Sequence, residues 1–219
     1  FSSGYYYQPP FYKEMKNAEG EINKDIESQK SIHFVLGNDY IFTAWNRPFK
    51  LSTELYYKIL KDIIPYKMDN VQLVYSAQNM AEGYAYGIDV KINGEFVQGI
   101  ESWASLSFLQ TQENIEGDFY FNADGERIEP GYYPRPTDQL VNFSMYFQDY
   151  LPMNPSFRMN LSLHYGSGLP FSSPEKDRYD QVFKMKSYKR VDLGFSKVLI
   201  SKDRSFEKAR WLNTFEDMW

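Results

Sequence analysis

Residues 49–59 read FKLSTELYYKI, with an apolar side chain at every second position. Successive side chains of a strand point to opposite faces. Leu51, Thr53, Leu55, Tyr57 and Ile59 therefore share one face, and Lys50, Ser52, Glu54, Tyr56 and Lys58 share the other. A chain built of such strands has two solutions. It can pack oily faces together in a sandwich, or turn them to lipid in a transmembrane barrel.

The pattern recurs along the chain. Residues 1–7 read as the end of a strand, and 48–64 as a full one. Residues 30–43 set Ile32, Phe34, Leu36, Tyr40 and Phe42 against His33, Val35, Gly37 and Asp39. Residues 83–97 set Tyr84, Tyr86, Ile88, Val90, Ile92 and Phe96 against Ala85, Gly87, Asp89, Lys91, Asn93 and Glu95. Further strands are expected at 102–115, 139–151, 156–166 and 187–200. Asn93-Gly94 would ordinarily mark a tight hairpin. Inside a long alternating run it reads as a strand glycine or bulge. In residues 204–212 the apolar spacing approaches three, which predicts a short helical turn before a new strand near Asp217.

Connections alternate in length. Short turns are expected near 44–48, 98–101 and 152–155, and long loops at 8–29, 65–82, 116–138 and 167–186. Barrels of the outer membrane have short periplasmic turns and long extracellular loops. The strands are also long, at about 11–17 residues against a usual ~5–6 in globular sheets. Composition points the same way. Aromatics make up 18% of the chain, with 19 Tyr and 17 Phe, and barrels use Tyr at the lipid boundaries and in a polar lumen. Zero cysteines exclude a disulfide scaffold and a cysteine-held metal. A net charge of −5 gives no footprint for nucleic acid. No GxSxG, HExxH or phosphate-loop motif is present, so an enzyme reading has no support. No cofactor is expected.

The stretches QPPFYKEM, QKSIHFVLGNDYIF, YYKILKDIIPY, EGYAYGIDVKI, PRPTDQLVNFSMYFQDYLP, GSGLPF and YKRVDLGFSKVLI cover nearly the whole chain. In them the sequence resembles the C-terminal part of the barrel of TonB-dependent receptors from Bacteroidetes-type bacteria. The resemblance implies an all-β, antiparallel transmembrane β-barrel segment, about seven to eight strands of a barrel of about 22. It implies nutrient import across the outer membrane of a Gram-negative bacterium. The implied partners are outer-membrane lipid, the plug and remaining strands of the same receptor, the TonB energy-coupling complex and a surface lipoprotein. On this reading residues 1–219 form one partial barrel domain. Both end strands then pair with other polypeptide, and the fragment neither closes nor transports alone. An all-β binding module, such as a carbohydrate-binding sandwich, is the alternative.

The barrel reading sorts the side chains. Leu51, Leu55, Ile59, Phe143, Met145, Phe147, Leu161 and Leu163 are expected to face lipid. Glu54, Asp89, Lys91 and Glu95 form one charged stripe facing the lumen, and Arg158, His164, Arg190 and Asp192 another. Trp45 and Trp103 are expected in a periplasmic-side aromatic girdle. Tyr5, Tyr6, Tyr7, Phe11, Tyr132 and Tyr133 are candidate extracellular loop aromatics, able to grip a ligand or to pack on one another. His33 and His164 lack ligand spacing and read as hydrogen-bonded wall residues. Glu126 and Glu129, in a turn-rich loop, read as solvated charge.

Overall fold

The structure, a computed structural model, describes residues 1–69, 72–151, 154–171, 179 and 183–199. In chain order the strands are β1 (Ser2–Gln8), β2 (Gln29–Ala44), β3 (Arg47–Ile63), β4 (Tyr66–Asp69), β5 (Gln72–Tyr75), β6 (Ala81–Val97), β7 (Ile100–Ile115) and β8 (Tyr120–Phe121). There follow β9 (Arg127–Ile128), β10 (Tyr133–Pro134), β11 (Val141–Leu151), β12 (Asn154–Gly166), β13 (Pro170–Phe171), β14 (Phe183–Lys184) and β15 (Tyr188–Lys197). The helical turn expected at 204–212, the strand near Asp217 and parts of the connections at 65–82, 152–155 and 167–186 lie outside the described residues.

Nine strands form one antiparallel sheet in the order β1-β2-β3-β6-β7-β11-β12-β15, with β10 also pairing β7. Three small hairpins, β4-β5, β8-β9 and β13-β14, sit in the long connections. Their two- to four-residue strands are too short for alternation to reveal.

The main sheet is open. Among the described residues β1 pairs β2 alone and β15 pairs β12 alone, and the two do not meet. This corrects the barrel expectation for fold, function and location together. Strand length and loop alternation are compatible with a barrel, but both are also satisfied by a long-stranded open meander. Among the described residues no wall closes around a lumen. Lipid, plug, TonB complex and surface lipoprotein lose the geometry that called for them, and so does an outer-membrane location.

Register keeps the pleat in phase across the sheet. Leu55 opposes Leu36 and Ile88, Ile88 opposes Phe108, and Phe108 opposes Val141. Leu51, Leu55, Ile59, Phe143, Met145, Phe147, Leu161 and Leu163 therefore share the apolar face. Glu54, Asp89, Lys91, Arg158, His164, Arg190 and Asp192 share the polar face. The two rows are the two sides of the open sheet.

At the loop end, alternation is deliberately broken. Asp62 takes φ 55° and the β3–β6 register shifts between Leu60 and Ile63. The bulge turns Ile63 onto the polar face, opposite Ala81. There Ile63, Ala81, Ile115 and Tyr133 form a buried cluster, with Leu60, Met80 and Tyr179 packed against it. Asn79 Nδ2 donates to the Asp62 carbonyl at 2.7 Å, and Lys30 Nζ pairs with its carboxylate at 2.7 Å. Beside the cluster Glu113 is 1% exposed, and Arg135 Nε meets its carboxylate at 3.0 Å. Burial lowers the Arg135 pKa.

At the turn end, Trp45 and Asn46 both have positive φ, 51° and 57°, and join β2 to β3 as a two-residue hairpin. Phe49, 2% exposed, sits among Phe42, Trp45 and Phe96 with ring centroids 5.0–5.8 Å away. Burial of such a ring stabilises by about 1.5–3 kcal/mol. Trp103 is instead on the polar face, under Lys91 Nζ at 5.5 Å, so the two tryptophans form no girdle.

Two stability outcomes follow from this packing. Gly87 leaves room for the Tyr56 ring and the Phe108 carbonyl, which a Cβ there would strike. Gly87→Ala should cost about 1–3 kcal/mol in urea unfolding. Gly37→Ala, whose Cβ would meet nothing nearer than Glu54 Cγ at 3.7 Å, should stay within about 0.5 kcal/mol of the parent. Arg135→Met removes one partner of the buried Glu113 carboxylate and should cost about 1.5–3 kcal/mol, part of it regained on adding Glu113→Leu. Equal loss in the single and double variants would show that the ion pair is not what holds this corner.

Candidate ligand-binding platform on the apolar face

Tyrosines break the aliphatic character of the apolar face near the loop end. Two adjacent rows cross the sheet there. One runs Phe34, Tyr57, Tyr86, Gln110 and the next Ile32, Ile59, Tyr84, Gln112. Long strands in unbroken register bring these residues together, because each is supplied by a different rung of β2, β3, β6 and β7. Tyr57 and Tyr84 have ring centroids 6.4 Å apart, and Tyr84 and Tyr86 6.1 Å, with planes 14° from parallel in both pairs. Tyr132 reaches over from the β9–β10 connection to 5.3 Å from Tyr84.

Three of the four phenols are held by partners. Tyr84 Oη donates to Gln112 Oε1 at 2.5 Å, and Tyr86 Oη donates to Gln110 Oε1 at 2.6 Å. Tyr132 Oη donates to Glu82 Oε1 at 2.8 Å. Because the amide oxygens accept from tyrosine, the glutamine NH2 groups are left as donors and the phenol oxygens as acceptors. The result is a set of aromatic surfaces edged by fixed hydrogen-bonding groups.

Next to the platform, and sharing Tyr57 and Tyr86 with it, is a hollow of about 530 Å³. Phe34, Leu36, Leu55, Ile88, Phe108 and Leu140 line it. An apolar hollow with a few convergent polar groups is the usual form of a small-molecule site.

The sequence candidates divide on inspection. Tyr132 joins the platform. Tyr133, its neighbour, is 5% exposed and donates to Asp118 Oδ2 at 2.9 Å, a core residue rather than a loop aromatic. Tyr5, Tyr6 and Tyr7 belong to strand β1, not to a loop, and Phe11 stands exposed on a turn whose amide is capped by Glu14. Glu95 accepts from the Gly99 amide at 3.0 Å and caps the β6–β7 turn. Arg158 lies against the Tyr150 ring. His33 contacts Ser31 Oγ at 2.7 Å and the Tyr6 ring, and burial followed by nearby Lys58 lowers its pKa. Glu126 Oε2 accepts from Asn122 Nδ2 in the exposed β8–β9 hairpin, away from Glu129. Among the described residues no group of His, Asp and Glu could hold a metal.

Tyr57, Tyr84, Tyr86, Gln110 and Gln112 escape a reading that sorts residues only as apolar or polar. The signal was present as tyrosine instead of aliphatic at consecutive outward positions, and as Gln-Thr-Gln on the neighbouring strand.

Two of the platform phenols, Tyr132 and Tyr84, resist ionisation. Tyr132 has its pKa raised first by the hydrogen bond to Glu82 and then by burial; Tyr84 has it raised first by burial and then by Tyr86 and Tyr57. The folded state favours the neutral phenols, so their contribution is present below the ordinary value of 10.0 and is lost as pH rises through the raised values. In an alkaline titration of phenolate absorbance, Tyr132→Phe should remove a late-ionising phenol, and Glu82→Gln should move it earlier. A late phase unchanged by both would show that the Tyr132–Glu82 contact is not formed.

Comparison with protein-family models and with curated proteins finds no match to this chain. No family model supports the resemblance to TonB-dependent receptors, which the open sheet of the described residues corrects.

Proposed function

We propose that the chain is an all-β binding module that takes carbohydrate on the Tyr57–Tyr84–Tyr86–Tyr132 platform. The observation that carries this reading is the pairing of each of Tyr84 and Tyr86 with a glutamine oxygen on the adjacent strand. A pyranose presents two kinds of surface: patches of C–H that pack on an aromatic face, and a rim of hydroxyls that demands donors and acceptors. The platform offers both in one place. Tyrosine rings supply area at low entropic cost. The Gln110 and Gln112 amides donate, and Glu82 and the phenol oxygens accept. Because the glutamines are already fixed by the tyrosines, little freedom is lost when a sugar engages them. The adjoining hollow suits an apolar substituent on the sugar.

The test is titration calorimetry with neutral hexaoses of glucose, xylose and mannose. At least one should bind, and Tyr84→Ala or Tyr86→Ala should weaken it by about tenfold or more, equivalent to about 1.4 kcal/mol. Tyr86→Phe, which keeps the ring and frees Gln110, should lose less, in line with a net hydrogen bond of about 0.5–1.5 kcal/mol. An aryl glycoside should bind more tightly than the methyl glycoside. If no neutral hexaose binds at millimolar concentration, or if the alanine variants bind as well as the parent, the reading is wrong.

A further inference from the structure

On the polar face, far along the sheet from the loop-end core, β11, β12 and β15 enclose a recess of about 390 Å³. Its lining includes Gln139, Asn142, Ser144, His164, Tyr188 and Arg190, and among the described residues no carboxylate lines it. We propose that this recess is a second binding site, independent of the tyrosine platform, and that its ligand is an acidic sugar carrying a carboxylate, such as a uronic acid unit.

The recess is a fixed structure. Gly166 has no side chain, and the place its Cβ would fill is taken by the Gln139 amide. Gln139 Nε2 donates to the Ser167 carbonyl at 3.0 Å, and Asn142 Nδ2 donates to Gln139 Oε1 at 3.0 Å. Ser167 Oγ in turn accepts from the Val141 amide at 3.0 Å. This interlocked wall stands where β11 begins. Opposite it, Ser144, His164 and Arg190 form one transverse row, directly paired from β11 to β12 to β15. Ser144 Oγ and His164 Nδ1 lie 3.2 Å apart, which orients the ring and leaves Nε2 for a ligand.

Arg190 supplies the charge. Its Nε forms an ion pair with Asp192 Oδ2 at 2.7 Å, and Tyr188 lies beside it in the lining. Guanidinium has five N–H donors in a planar fork, so the ion pair steers the fork and leaves other donors unused. A planar fork matches a carboxylate with two parallel hydrogen bonds. Phosphate would carry more charge than one guanidinium can balance here, since among the described residues no lysine lines the recess. The amides, the serine and the tyrosine meet the hydroxyls of the sugar ring. A volume of about 390 Å³ lies at the small end of ligand sites and suits a mono- or disaccharide unit, not a bundle of chains.

Asp192 sharpens the inference, because it competes with a ligand carboxylate for the same guanidinium. Removing it has the opposite effect to removing Arg190, and no merely structural role predicts that sign.

The full chain should be titrated with trigalacturonate, with the neutral galactotriose and with a short poly-glutamate peptide. Trigalacturonate should bind at least about tenfold more tightly than galactotriose, and its affinity should fall as salt is raised. Arg190→Gln should abolish the difference between acid and neutral sugar. Asp192→Asn should tighten trigalacturonate binding by threefold or more. Asn142→Ala should weaken both sugars, which keeps a test in hand if Arg190→Gln fails to fold. Tyr84→Ala should leave trigalacturonate binding unchanged, separating this site from the platform. The proposal is overturned if Arg190→Gln binds trigalacturonate like the parent, if Asp192→Asn weakens it, or if the glutamate peptide binds as tightly as the sugar acid.

Discussion

Everything in this fold hangs on register. A pleated strand sends alternate side chains to opposite faces, and a slip of one residue exchanges them. From β2 to β15 the ladders stay in phase, so leucines and phenylalanines on seven strands reach one side together. Serines, amides and charges reach the other. Both proposed binding surfaces are products of this phase. The tyrosine–glutamine platform needs four strands aligned to one rung, and the recess around Ser144, His164 and Arg190 needs three.

One of the places where the phase is broken, near Asp62, carries a buried hydrophobic cluster. The bulge at Asp62 sends Ile63 to the polar face, and the loop-end hairpins and Tyr133 cover it there. Hydrophobic burial is thus concentrated at two ends, around Ile63 and Ile115 and around Phe49, while the centre of the apolar face stays half-open. The open centre is what leaves room for the hollow beside Tyr57 and Tyr86.

Much of the strand map was legible because alternation over ten or more residues is a strong signal. Strands expected at 30–43, 48–64 and 83–97 are observed at Gln29–Ala44, Arg47–Ile63 and Ala81–Val97. The partition of side chains between faces was legible for the same reason. What lies beyond each face was not. Leu55 in lipid and Leu55 in an open sheet have the same sequence neighbours, and closure depends on how the first and last strands meet. The Asp62 bulge was hidden too, since one extra residue in a long run leaves the local composition unchanged. The platform was only half legible. Tyr132 stood out as a loop aromatic, but its partner Tyr84 looked like any outward-facing apolar residue until the register set Gln112 beside it.

In the main sheet each long strand is paired with the long strand that follows it in sequence, from β1 through to β15. The order in space is the order in the chain. A sheet of this kind is close to one-dimensional, since each element has only its two chain neighbours to hold it. Such an array need not melt as a block. Among the described residues the outermost strands, β1 and β15, each have a single neighbour and can detach without disturbing the middle, whereas opening β6 requires breaking its long ladders with both β3 and β7. Local stability should therefore rise from both margins toward the centre. The two surfaces then differ in kind. The tyrosine platform is anchored on the most protected strands, and the acidic-sugar recess takes Arg190 from the margin, where fraying of a single strand would dismantle it.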